Sequence, residues 1–205
     1  MDSSKTTLGR QPDGTRMHSS LGEAVHSRGE MASRLSVIAG HRQERRPTVT
    51  PPAARAGEEV TVSMDRLPYA AVYIGFGALG GNHQLLTQAE TDADGMLSAT
   101  VSLPAWATAD LKHFFFLAGF DQRPFVTSHE FHVADEEGVF RVEGEITDEG
   151  LACLTLRNSD DRLYTLEGET VGLAAGSRVV LRATLPEDPL CGEGVAIEVL
   201  DARVR

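Results

Sequence analysis

From Gly57 to Arg205 the apolar residues recur every second position, in short runs broken by Gly, Asp-Gly and Pro. This rhythm constrains the chain more than any other feature. Alternate side chains of a strand point to opposite faces, whereas a helix needs a period near 3.6. Val60, Val62 and Met64 share one face with Thr61 and Ser63 opposite; Val72, Ile74 and Phe76 form a second stripe; Leu97, Ala99, Val101 and Leu103 form a third. His83 to Ala89 is a shorter candidate strand, Phe114-Phe115-Phe116-Leu117 is apolar on both faces like a central strand, and Val126 to Val133 closes the set. The expectation is an all-β protein.

Before residue 57 the chain has no period. Residues 1–56 carry nine basic and five acidic side chains among Ser, Gly and His, and end in Arg45-Arg46-Pro47-Thr48-Val49-Thr50-Pro51-Pro52. Each proline biases its predecessor away from helix, so this reads as a disordered arm and Pro-rich linker. Residues 57–205 carry ten basic and twenty-five acidic side chains, and the whole chain has a net charge of −11. A folded part this acidic repels phosphate backbones, so no nucleic-acid partner is expected. No apolar run approaches the roughly 20 residues of a membrane helix, so no membrane span is expected. Leu35 to Gly40 is too short for the apolar part of a secretory signal, and on its face the chain is cytoplasmic.

The strand pattern divides in two. Six or seven short strands over 57–134 predict an antiparallel sandwich. After Ala134-Asp135-Glu136-Glu137 the pattern restarts over 138–205. A long strand from Val139 to Ile146 is followed by Leu151–Leu156, Leu163–Leu166, Val179–Leu185 and Val195–Val204, with Asn158-Ser159-Asp160-Asp161 as a turn. Five strands with a long first one predict a small OB-like barrel. The short connection between the units predicts that they touch.

Cys153 and Cys191 are the only cysteines. They fit a disulfide, two buried thiols or half of a metal site, and their spacing excludes a C-x-x-C redox pair. Other motifs have plain structural readings. Gly75-Phe76-Gly77-Ala78-Leu79-Gly80 matches a dinucleotide fingerprint, but no βαβ unit with an acidic strand end follows, so a tight turn or bulge is expected. Asp92-Ala93-Asp94-Gly95 reads as a hairpin turn, since the remaining ligands of a calcium loop are missing. His129 and His132 stand three apart, on opposite faces of a strand, and cannot easily share an ion. No cofactor, metal ligand or catalytic set is assigned. Alternation also predicts that Phe114 and Phe116 face the sandwich core. Phe115 and Leu117 would then face outward as a candidate interface, covered by a partner or, as the short connection favours, by the second unit.

Two stretches resemble known modules. Gly57 to Val62, Val72 to Gly77, Thr91 to Gly95 and Ser98 to Val101 with Pro104 resemble bacterial Ig-like modules of cell-surface and secreted proteins. Gly150 to Cys153, Leu163 to Leu166, Leu173 with Gly176, and the run from Cys191 to Val199 resemble a small OB-like domain of unknown function in exported bacterial proteins. The resemblance implies an extracytoplasmic, periplasmic or extracellular bacterial protein with no assigned activity and a disulfide between Cys153 and Cys191. Two β modules, that candidate disulfide and the lack of a catalytic set lead to the expectation of a non-enzymatic role in binding a protein or glycan. The competing expectation is a hydrolase-type site of scattered Asp, Glu and His at the junction of the two units.

Overall fold

The computed structural model describes residues 45–205, which are all-β. The expected arm over residues 1–44 lies outside the described residues. No helix occurs among the described residues, and so none is long and apolar enough to cross a membrane.

The first unit is a sandwich of two sheets with Ig-like layering. One sheet has the order β1 (Thr48–Thr50), β3 (Glu59–Met64), β6 (Leu97–Ser102); the other has β5 (His83–Glu90), β4 (Ala71–Ala78), β7 (His113–Ala118), β8 (Pro124–Thr127). A separate parallel pair joins β2 (Ala53–Arg55) to β9 (His132–Ala134). The second unit is a closed barrel of β10 (Phe140–Thr147), β11 (Thr155–Asn158), β12 (Leu163–Gly168), β14 (Val195–Val204) and β13 (Arg178–Thr184), in that order around the ring. Its one parallel pair is β12 with β14. A five-stranded ring with one parallel closure is OB-like.

Part of the expected linker is strand. Thr48–Thr50 pairs antiparallel with Thr61–Ser63, and Ala53–Arg55 pairs with His132–Ala134, so the sandwich begins before Gly57. The prolines that suggested a linker, Pro51 and Pro52, occupy the bend between β1 and β2, where a missing N–H removes no ladder bond. The Asp92–Gly95 turn also differs from expectation. It is an Asx turn, with the Asp92 carboxylate accepting from the amides of Asp94 (2.9 Å) and Met96 (2.8 Å). It joins β5 to β6, which belong to different sheets, so it is a corner rather than a hairpin.

The outward assignment of Phe115 and Leu117 is reversed. Both are fully buried in the sandwich core with Ile74, Phe76, Leu97 and Phe131. Phe115 stands 4.8 Å from Phe76 and edge-on to Phe131 at 5.2 Å, centroid to centroid. Phe116 and Ala118 take the opposite face, packed by Tyr73 and Leu85. Phe116 is the cross-strand partner of Gly75, and any Cβ at Gly75 would overlap its ring. That glycine of the fingerprint-like run therefore lets an aromatic ring lie flat on the sheet, and Gly80 (φ +72°) supplies the turn into β5.

The two units are continuous. Asp135 to Val139 forms a tight turn in which the Asp135 carboxylate accepts from the amides of Glu137 (3.1 Å) and Val139 (2.8 Å). Ala53 and Ala134, from the parallel pair, belong to the same apolar cluster as the barrel residues Val142, Tyr164, Leu181 and Ile197. The sandwich thus supplies part of the barrel's packing, as the short connection predicts.

Candidate functional site

The densest grouping of ionisable side chains lies where the two units meet. Between β8 and β9 the regular ladder gives way to single bonds to β7, and the segment Ser128–Phe131 there faces the Asn158–Arg162 turn of the barrel. That turn is fixed locally: the Asn158 side-chain oxygen accepts from the amides of Asp160 (3.0 Å) and Arg162 (2.8 Å). Asp161 takes the left-handed conformation (φ +62°) that Asp tolerates. The result aims the Asp160 carboxylate at the sandwich.

Asp160 accepts from Arg46 Nη1 (2.7 Å), from His129 Nδ1 (3.1 Å) and from the amide of Glu130 (2.8 Å). Burial by itself would raise its pKa. The bond from His129, the Glu130 amide and the charge of Arg46 outweigh burial and hold it below the usual value. The Arg46 and Asp160 side chains are 12% and 8% exposed, so this is a partly desolvated, charge-assisted clamp rather than a surface pair. Arg162 Nη1 donates to the backbone oxygen of Glu130 (3.0 Å), returning a bond from barrel to sandwich.

Two further contacts flank the clamp. Lys112 Nζ donates to Glu130 Oε2 (3.1 Å) and to Ser159 Oγ (3.2 Å). Burial raises the Glu130 pKa, and the neighbouring Lys112 offsets only part of that. His132 Nε2 and the Tyr164 hydroxyl share a hydrogen bond of 2.7 Å inside the barrel, with the imidazole stacked on Phe140 at 5.1 Å. Burial, with the charges of Arg162 and Lys112, lowers His132 to about 3. The ring is therefore neutral, and burial keeps Tyr164 protonated.

Sequence reasoning placed His129 and His132 on opposite faces. The structure sends one to Asp160 and the other to Tyr164. His113 is buried elsewhere, stacked on Phe76 at 5.0 Å, and burial lowers its pKa. Among the described residues no group of three or more His, Cys, Asp and Glu could hold a metal ion. Cys153 and Cys191 are bonded to each other, with Cα atoms 6.4 Å apart, and the Cys191 amide donates to Glu167, near the end of β12 away from Arg162. Phe115 and Leu117 take no part in the junction. Arg46, Lys112, Asp160 and Arg162 were not singled out from the sequence, and no spacing marks them, because three separate loops bring them together.

Two clefts border the network. One, of about 180 Å³, is lined by Asp110, Lys112, Glu130, His132, Arg141 and Glu143 among others. The second, of about 210 Å³, lies beside Arg46, Ser128, His129 and Arg162. Both are smaller than the roughly 300–1,000 Å³ of ordinary ligand pockets. Larger grooves of about 550 and 370 Å³ lie on the outer barrel face, along Glu143, Glu145, Arg157, Arg178 and Arg205, and between β1 and the β13–β14 loop. The groove arginines face carboxylates: Arg157 pairs with Glu149 and Asp161, Arg178 with Glu145 and Arg205 with Glu143.

Fold and junction define a two-unit β protein whose halves are clamped by partly buried charge. No protein-family model matches the chain, and no curated protein sequence is similar to it.

Proposed function

We propose that the chain is a non-enzymatic binding or interaction protein of the bacterial envelope or secreted fraction, recognising a protein or glycan. The observation that carries this reading is how the junction groups are used. Asp160, His129, Glu130, Lys112 and His132 each bond to one another or to the neighbouring unit. The two contacts between a basic group and a hydroxyl are taken up structurally: Lys112, beside Ser159 at 3.2 Å, also pairs with Glu130, and the His132–Tyr164 pair is buried. A rigid pair of β units suits presentation of loops at a fixed separation. The bonded cysteines agree with an oxidising compartment.

A hydrolase at the junction is the second reading, favoured by the cleft that gathers Asp110, Lys112, Glu130 and Glu143. Glu130, with its raised pKa, would be the acid. Chromogenic ester, peptide and glycoside substrates assayed between pH 5 and 8 decide between the two. Binding without catalysis expects equal background from wild type and Glu130→Gln; turnover that Glu130→Gln abolishes while the fold is kept would overturn it. Thiol titration of native protein from its own compartment should find neither cysteine reactive, and two titrating thiols would count against export.

A further inference from the structure

Two of the clefts described above join into one feature. The cleft of about 210 Å³ beside Arg46 and His129 and the groove of about 370 Å³ between β1 and the β13–β14 loop share Thr48, Val49 and Arg162 in their walls. Together they form a trough across the junction, with β1 of the sandwich on one side and Leu185, Pro186, Pro189 and Val195 of the barrel on the other. The loop that forms the barrel wall is tied down. Cys191 is bonded to Cys153, and Glu167 accepts from the amides of Leu190 (2.8 Å) and Cys191 (3.1 Å).

Three properties set the trough apart. The first is an open strand edge. β1 is the outermost strand of its sheet and pairs only with β3. The groove touches Thr48, Val49 and Thr50 in succession, although the Val49 side chain lies in the core. Successive side chains of a strand point to opposite faces, so what the groove follows is the main chain, along the edge that β3 does not cover. The second property is charge. Residues 57–205 carry twenty-five acidic side chains, and carboxylates line the other two clefts described above. Among the described residues, no carboxylate lines either part of the trough. The third is Arg162, where the two parts meet. It is half-buried, lies over the Tyr164 ring at 5.7 Å and donates Nη1 to the backbone oxygen of Glu130 (3.0 Å), and no carboxylate among the described residues pairs with it. Its neighbours Arg46 and His129 are both taken up by Asp160. A guanidinium that has given up hydration without gaining a counter-ion is a ready anchor for a carboxylate.

An open strand edge takes an extended peptide through main-chain hydrogen bonds, and the pockets beside it read the side chains. We propose that the trough docks an extended segment of a partner protein, which adds a short strand to β1, lays an aliphatic side chain against Leu185, Pro189 and Val195, and sets an aspartate or glutamate side chain on Arg162. The trough continues past Arg162 on both sides, so the carboxylate belongs to a residue within the segment rather than to its C-terminus. Pro47 and Pro51 bound the edge and limit the ladder to the three residues of β1, so the walls supply the selectivity. The field of the acidic chain disfavours nucleic acid and other polyanions. A glycan would leave the strand edge unused. A second copy pairing β1 with β1 would set Arg162 near its own counterpart with no carboxylate between them. The proposal rests on the binding reading above and chooses protein over glycan. The tied loop holds its wall in place beforehand, which lowers the ordering cost of association.

The test is a titration of the full chain, with its disulfide intact, by a short blocked peptide in which threonine alternates with leucine and glutamate, followed through amide NMR shifts. Shifts should concentrate in residues 48–50, 162, 185–189 and 194–196. Changing glutamate to glutamine in the peptide should weaken binding about tenfold, Arg162→Gln should do the same, and the two changes together should cost no more than either alone. Methylating the peptide's main-chain nitrogens, which removes the strand donors, should abolish binding. These peptide changes leave the protein untouched, so they decide the matter even if Arg162→Gln disturbs the junction. Pro189→Glu, on the exposed loop, should weaken binding by repelling the glutamate. Phe120→Ser, in the exposed loop between β7 and β8, should change nothing. No binding overturns the proposal, as does binding that survives methylation or ignores the glutamate. Shifts centred on the outer barrel groove at Arg178 and Arg205 would overturn it while leaving a binding protein in place. A concentration-dependent dimer that shifts Thr48–Thr50 without peptide would give the edge to a second copy, and Overhauser contacts from residues 1–44 to Thr48–Thr50 would give it to the chain's own N-terminal segment; either result overturns it. The substrate assays above, not this titration, decide whether the chain binds or catalyses.

Discussion

The sandwich and the barrel solve the same problem with different materials. All aromatic residues except Phe140 and Tyr164 lie in the sandwich, where Phe76 contacts Trp106, His113, Phe115 and Phe131 in one ring cluster. Its sheets have open edges, and its packing comes from large rings spanning two layers. The barrel has no edges. Its interior is mostly aliphatic, and a covalent tie joins two of its loops. A ring of five short strands encloses a small core, so loop entropy and hydrogen bonding weigh more there than buried area does. The sandwich should therefore answer to ring deletion and the barrel to loop release.

The largest expected effect is in the sandwich. Phe76→Ala removes the ring at the centre of the cluster and should cost about 3–5 kcal/mol. Urea unfolding followed by Trp106, the only tryptophan, reads this unit alone. An equal loss in the barrel amides by hydrogen exchange would show that the two units do not melt separately. The next effect sharpens the contrast from the other side. Cys153→Ser with Cys191→Ser opens a loop with 38-residue sequence separation and should cost about 3–4 kcal/mol. That loss should appear in barrel amides and leave the Trp106 transition near its place.

The smallest effect lies where the units meet. His132 is held near pKa 3 when folded and returns to about 6.5 when unfolded. Its contribution to stability is full above pH 6.5 and declines as pH falls toward 3. Between pH 7 and pH 5 the loss should be about 2 kcal/mol. His113, also lowered by burial, acts with the same sign, and Glu130, whose pKa is raised, acts against it. Asp160 adds a further loss only below the ordinary carboxylate range. His132→Gln should flatten the profile between pH 7 and 5; an unchanged slope would place the proton uptake elsewhere.

Most of this architecture was legible as rhythm. The strands over 59–64, 97–102, 140–147 and 195–204 fall on the alternating stripes, and the turn at 158–161 was read correctly. The sign of an alternation was less legible. Phe114 to Leu117 is apolar throughout, so period two gave two faces without saying which was inner. The deciding feature is Gly75 on the neighbouring strand, which seats Phe116. Strands β1 and β2 were missed because two prolines at a bend resemble a linker. Leu151–Leu156 was read as strand too early because Gly150 to Leu154 is the disulfide-bearing loop, with the strand starting at Thr155. The junction was invisible for a different reason. Arg46, Lys112 and Asp160 are separated by tens of residues and share no motif, and only tertiary folding gathers them.

The turn at Asp135 to Val139 has an implication for synthesis. The sandwich leaves the ribosome first, and when β2 pairs with β9 the side chains of Ala53 and Ala134 still lack the barrel that will cover them. Until the chain has been translated through β14, the newborn first half carries an uncovered seam. A stop codon placed just after Asp135 would make that unfinished state permanent.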